Sequence, residues 1–256
     1  LYWFEAQDDG NPKNKVPHRD YAFLLADPKD SPRLWFKTEF RAGRLNFSGD
    51  GQLVLASEVD RQTRTERLWR LDINKLSEPG TLVYERSIQD EYDNPGRAVS
   101  EMTIDGRSVM RFRNGKLFLS GRGASPKGDR PFLDSWVVTS GEKERLFESA
   151  DGRHETFMGF VGAGTKEFLV RSESKTDAPQ LLHVNSESNT RKVLHTSMDP
   201  AGKWNKLIQK RLVRYQRADG APMNGTLYLP PSYKPGQQLP CLVWAYPREY
   251  TKASDA

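Results

Sequence analysis

The sequence predicts a mainly β fold: a partial β-propeller of about three to four blades, followed from about residue 210 by the first strands of a second domain. Three observations predict it. The first two hundred residues are a succession of short runs rich in aromatic and β-branched residues, broken by Gly, Pro, Asn and Asp. A loose repeat of about 45 to 55 residues runs through them. Composition then changes at Met198-Asp199-Pro200-Ala201-Gly202.

The strands are read in order. Phe23-Leu24-Leu25 and Arg33-Leu34-Trp35-Phe36 come first, then Gln52 to Val59, Glu66 to Ile73 and Thr81 to Arg86. Ser108 to Arg113 and Lys116 to Ser120 flank Asn114-Gly115. That pair predicts a hairpin, because both central residues of a type I′ turn need positive φ. Pro131 to Thr139, Glu144 to Glu148, Thr156 to Val161, Glu167 to Ser172, Gln180 to Val184 and Arg191 to His195 continue the series. No helical apolar stripe of any length precedes residue 200. The segments 67–87, 132–150 and 180–197 each read as strand, polar turn, strand, and Asp-Gly pairs at Asp50, Asp105 and Asp151 mark the same rhythm. A four-stranded blade cannot cover both of its faces alone, so blades stack. A sandwich or meander of similar strands is the alternative.

The domain reading is a partial propeller over 1–198, a linker over 199–209 and a second domain over 210–256. Gly225 to Pro230 reads as a strand closed by Pro230-Pro231, since proline removes a ladder donor. Leu242 to Ala245 is apolar on both faces, which suits a strand buried on two sides. Cys241, the single cysteine, is expected as a small buried hydrophobe and cannot form an intramolecular disulfide.

Charge excludes some functions. The net charge of +5 comes from 39 basic and 34 acidic residues that are interleaved along the chain. No run of like charges marks a nucleic-acid surface. No apolar run reaches the length of a membrane helix. The opening LYWFEAQDDG has neither Met nor a basic n-region and reads as the interior of a strand, so the chain is expected to be part of a longer protein.

The last fifth of the chain carries a resemblance. RYQRADG, GTLYLPPSY, KPGQQLP and CLVWAYPREY resemble the entry to the α/β-hydrolase domain of the prolyl oligopeptidase family of serine peptidases, in its glutamyl endopeptidase branch. LYWFEAQDDG, TRTERLW and GRGASPKGDRPFLD extend the similarity upstream. The resemblance implies a propeller acting as a lid over a hydrolase domain that cleaves peptides, after glutamate by likeness to that branch, with no cofactor. It implies a Ser-Asp-His triad with its serine in a Gly-x-Ser-x-Gly elbow. No such elbow occurs in these 256 residues, so this chain alone is expected to be inactive. The resemblance makes Tyr246 an oxyanion-hole donor. Arg248 and Glu249, beside it, are candidates to line the substrate cleft, or else solvated loop charges. Pro247-Arg248 stand where the prolyl branch has glycines. Bacterial relatives of this type suggest a periplasmic or exported protein. Peptide substrates and the rest of the hydrolase domain are the implied partners, with no nucleic acid and no membrane.

Other sites weigh less. His18, His154, His183 and His195 are scattered, which argues against a metal centre. Ser149, Asp151 and His154 crowd one turn with no elbow to present the serine. The loops 122–130 and 172–177 are candidates for the face toward the hydrolase domain. The alternative function is a non-catalytic propeller that binds proteins or peptides.

Overall fold

The structure is a computed structural model that describes residues 1–199, 202–205, 207–220 and 222–245. Apart from one four-residue helix, the regular structure of the described residues is antiparallel strands. Contacts divide it into two units, Leu1–Glu148 and one beginning at Ser149.

In the first unit, β1 (Tyr2–Ala6), β2 (Asp20–Leu24) and β3 (Arg33–Thr38) form a three-stranded sheet. Next comes a four-stranded meander of β4 (Arg41–Phe47), β5 (Val54–Asp60), β6 (Thr65–Leu71) and β7 (Thr81–Ser87). The third sheet runs β11 (Phe112–Arg113), β12 (Lys116–Gly121), β13 (Phe132–Val137), β14 (Glu142–Glu148), with β8 (Arg97–Ala98) also on β12. Between β8 and β11 projects a small hairpin of β9 (Ser100–Met102) and β10 (Ser108–Met110). In the second unit, β15 (Arg153–Phe160), β16 (Glu167–Ser174), β17 (Gln180–Asn185) and β18 (Thr190–Thr196) make another four-stranded meander. A four-residue helix, α1 (Gly202–Asn205), precedes the hairpin of β19 (Gln209–Gln216) and β20 (Pro222–Leu229).

Consecutive up-and-down sheets of this kind are blade topology, and burial shows why they stack. On β5, Val54 and Ala56 join Trp35, Phe36 and Ala22 of the preceding sheet in one core. Leu55, between them in sequence, joins Leu117, Leu119 and Trp136 of the following sheet in another. Side chains alternate faces along a strand, so a run apolar at every position is buried on both sides. In the second unit β16 buries one face, with Phe168, Val170 and Ser172 fully buried and Glu167 and Arg171 exposed on the other.

Turn chemistry follows the sequence closely. Asn114 and Gly115 have φ of 52° and 75°, and the two-residue loop joins the Arg113–Lys116 pair. The Asp-Gly rhythm is a repeated turn with a hydroxyl at its start. The Leu53 N–H donates to Ser48 Oγ at 2.9 Å, the Arg107 N–H to Thr103 Oγ1 at 3.0 Å, and the Glu155 N–H to Ser149 Oγ at 3.0 Å. β4 is a strand that sequence reading missed. Its Gly43 sits in an irregularity of register between Ala42 and Leu45, where a Cβ would lie 2.4 Å from Ser57 Oγ. The glycine permits a bulge that hides the period-two pattern.

Buried ion pairs lock the first two sheets together. Arg41 of β4 donates to Asp20 of β2 at 2.5 Å and to Asp8 in the β1–β2 loop. Arg19 adds a bond to Asp8 at 2.8 Å, and the Ala42 N–H bonds Asp20 at 2.7 Å. The hydrogen bond from Arg41, against the cost of burial and with help from Arg19, pulls the Asp8 carboxyl down from 3.8 to about 2. A lowered carboxylate pKa contributes stability above its ordinary value and loses it as pH falls toward the shifted one. Asp8→Asn is therefore expected to lower the urea midpoint at neutral pH. The gap from the unaltered chain should close between pH 3.8 and about 2. A gap that persists at the acid end would show that the ion pair is not its source.

Candidate functional site

Tyr246, Arg248 and Glu249 lie outside the described residues. What is described is the approach to them. β19 and β20 pair over eight positions, from Gln209–Leu229 to Gln216–Pro222. This two-stranded sheet leaves Leu212, Val213, Tyr215 and Tyr228 exposed. Pro230-Pro231 ends it, as the sequence predicts, and a turn follows in which the Gln237 N–H bonds the Lys234 carbonyl at 3.0 Å.

The apolar run beyond departs from expectation. Residues 239–245 form no strand, and Leu242, Val243 and Trp244 are 95%, 82% and 87% exposed. Cys241 is exposed as well, not buried. The physical reason is a lack of neighbours. A strand apolar on both faces needs a partner on each edge and a layer on each face. Among the described residues no strand pairs with it. A contiguous exposed apolar patch of this sort marks an interaction surface.

The structure shows the surroundings of the remaining candidates. Ser149 is buried, and its hydroxyl donates to the Arg153 carbonyl at 2.9 Å while accepting the Glu155 N–H. It is a turn-forming hydroxyl, with its lone pairs and proton engaged by backbone. His183 lies 3.4 Å from Glu167 across the β16–β17 pair. His183 and His195 are on neighbouring strands but pair with Lys192 and Leu181, not with each other. Among the described residues no group of three His, Cys, Asp or Glu side chains is placed to hold a metal ion. The loop 122–130 is closed on itself by an Arg122–Asp129 ion pair, and Asp177 of the loop 172–177 is bound by Arg153 at 2.7 Å.

Sequence reading passed over the cavities. One in the first unit has a volume of about 1200 Å³ and lies along β4 and the β9–β10 hairpin. Arg44, Arg97 and Arg107 line it, with Tyr84. Burial pushes the Tyr84 phenol up to about 12. No local signal in the sequence marks this cavity, because its walls come from four different sheets.

Comparison with known proteins fits this architecture. Over 275 aligned residues the chain is 32% identical to "Probable glutamyl endopeptidase, chloroplastic" of Oryza sativa subsp. japonica, covering 100% of this chain and 29% of that protein. The Arabidopsis thaliana protein of the same name is 31% identical, covering 99% of this chain and 28% of its own length. The chain thus spans under a third of the curated relatives it matches. Oligopeptidase B of Trypanosoma brucei shares the fold at a TM-score of 0.51 and 14% identity, over 93% of this chain and 39% of that one. No family model matches the chain.

The chain is thus similar in sequence to the plant glutamyl endopeptidases along its length, and its fold is that of the propeller portion of a prolyl oligopeptidase-type peptidase. Both plant relatives are named chloroplastic, which runs against the expectation of a bacterial periplasmic protein. No helix among the described residues is long and apolar enough to cross a membrane.

Proposed function

We propose that this chain is the propeller lid, and the first strands of the hydrolase domain, of a serine endopeptidase that cleaves peptides after glutamate. Similarity along the whole chain to proteins named glutamyl endopeptidase carries this reading. In it, residues 1–198 belong to the propeller, 199–209 to the linker and 210–256 to the hydrolase domain. The exposed Leu242-Val243-Trp244 run supports the last assignment, because further sheet and helices would cover it. Tyr246 would give its hydroxyl to the oxyanion of the tetrahedral intermediate. Arg248 and Glu249 would flank the substrate beside it. The nucleophile, its histidine base and the orienting aspartate would come from outside these 256 residues. Without them the propeller contributes access control and no bond cleavage.

The test uses the natural gene product from its source cell. A fluorophosphonate probe should label a protein well above 29.2 kDa, and peptides should be cut after glutamate. The purified 256-residue chain should take up no probe and hydrolyse no peptide. Labelling of the isolated chain would mean that the nucleophile has been misplaced. A natural product of 29.2 kDa without activity would return the protein to the binding-module reading. Fractionation of the same cells assigns the compartment.

A further inference from the structure

A second, smaller cavity lies on the first unit, between β3 and β6, with a volume of about 290 Å³. That is the low end for a ligand site and suits one side chain, not a large molecule. Its walls are aromatic. Trp35, Phe36 and Trp69 line it, and the rings of Phe36 and Trp69 stand 6.1 Å apart at 58°. Its charge is negative. Glu39, Glu58 and Glu78 line it with the rings.

These carboxylates are only partly neutralised. Arg67 bonds Glu39 at 2.8 Å and Glu85 at 2.5 Å and stands 3.6 Å from Glu58. One guanidinium thus serves three carboxylates, and Arg67 itself does not line the cavity. Glu58 is 1% exposed, held by the Phe40 N–H and the Trp69 indole at 2.8 Å each. Glu78 has only a long contact of 3.8 Å to Lys75. Lys37, the one lysine on the wall, has its ammonium over the Tyr21 ring at 5.0 Å. His18 completes the wall, and its Nδ1 is buried with no hydrogen-bond partner. As a neutral imidazole that nitrogen can accept a proton donor.

Aromatic faces attract cations through their quadrupoles, and carboxylates add to that attraction. We infer that this cavity binds a cationic side chain, a lysine or methyl-lysine ammonium on its aliphatic stem, presented by a peptide partner. The stem would lie against Phe36 and the Trp69 ring, and the ammonium would meet Glu39 and Glu78. The site is independent of the peptidase reading and stands or falls without it.

The test is titration of the full 256-residue chain, isotopically labelled, with three probes. They are Nα-acetyl-lysine amide, its trimethylated form and Nα-acetyl-norleucine amide. The indole N–H signals of Trp69 and Trp35 are followed by NMR, with Trp69→Phe assigning the first. Both cationic probes should shift these signals saturably, and norleucine should bind about tenfold more weakly or not at all. Glu39→Gln with Glu78→Gln should weaken the cations about five- to tenfold and leave norleucine unchanged. Both glutamates are about 60% exposed, so the fold should survive the change. Equal binding of norleucine and lysine would overturn the inference, leaving an apolar pocket. Absence of any shift with the cationic probes would overturn it outright, and this result needs no variant.

Discussion

Replacing Tyr246 by phenylalanine in the full-length protein is expected to lower kcat about 10²- to 10³-fold and to leave KM nearly unchanged. The argument starts from charge. Attack on a peptide carbonyl places a full negative charge on one oxygen, and a fixed hydroxyl aimed at that oxygen binds the transition state more tightly than the substrate. Phenylalanine keeps the ring and its packing and removes only the donor. An interaction made only in the transition state is lost from kcat and from kcat/KM alike. Steady-state kinetics on a glutamyl peptide reads both. The rate of fluorophosphonate labelling provides the second axis. A variant that loses kcat and labels slowly has lost oxyanion stabilisation. A rise in KM alone, with kcat intact, would assign Tyr246 to substrate positioning and remove it from the oxyanion hole.

How much of this was legible in the sequence depends on where each feature's determinants lie. Local determinants were readable. Asn114-Gly115 produced the hairpin, and Pro230-Pro231 ended β20. The Asp-Gly pairs marked turns whose preceding Ser or Thr hydroxyls bind the next strand. Features set by distant neighbours were not. β4 escaped because a bulge at Gly43 breaks its alternation, and the bulge is explained only by Ser57 on the next strand. Leu242 to Ala245 has the composition of a central strand, yet strand formation needs partners on both edges, which composition cannot supply. Cys241 followed the same error, since its burial was inferred from that strand. The aromatic cavity draws Trp35 and Trp69 from strands some thirty residues apart, and no local spacing announces it. Tyr246, by contrast, became a candidate only through family resemblance.

Glu155→Ala is expected to be the most damaging change of a polar residue in the second unit, at about 3 to 5 kcal/mol. Glu155 is fully buried on β15. Arg191 of β18 donates to it at 2.9 Å, the Ser172 hydroxyl of β16 at 2.8 Å and the Ala150 N–H at 3.1 Å. Arg153 in turn donates to the Ser172 hydroxyl at 2.8 Å, so the carboxylate anchors a chain of donors. Burial opposes its ionisation, and the bonds from Arg191, Ala150 and Ser172 outweigh that cost and hold its pKa below the ordinary 4.5. Truncation to alanine leaves the Ser172 hydroxyl and the Ala150 amide facing a void and takes the carboxylate from Arg191. Exposed pairs such as Lys166–Glu187, at 59% and 65% exposure, contribute under about 1 kcal/mol by comparison. The difference is desolvation: water replaces a partner at the surface and cannot at Glu155. Hydrogen exchange at the β15–β17 amides measures the loss locally. Glu155→Gln should cost less, about 1 to 3 kcal/mol, because its amide oxygen can still accept. Since the lowered pKa contributes stability only above the ordinary carboxylate value, the exchange difference between the alanine variant and the unaltered chain should narrow below pH 4.5. Protection unchanged in Glu155→Ala at neutral pH would show that the apolar contacts of Phe168, Val170 and Leu182 hold these strands without the carboxylate.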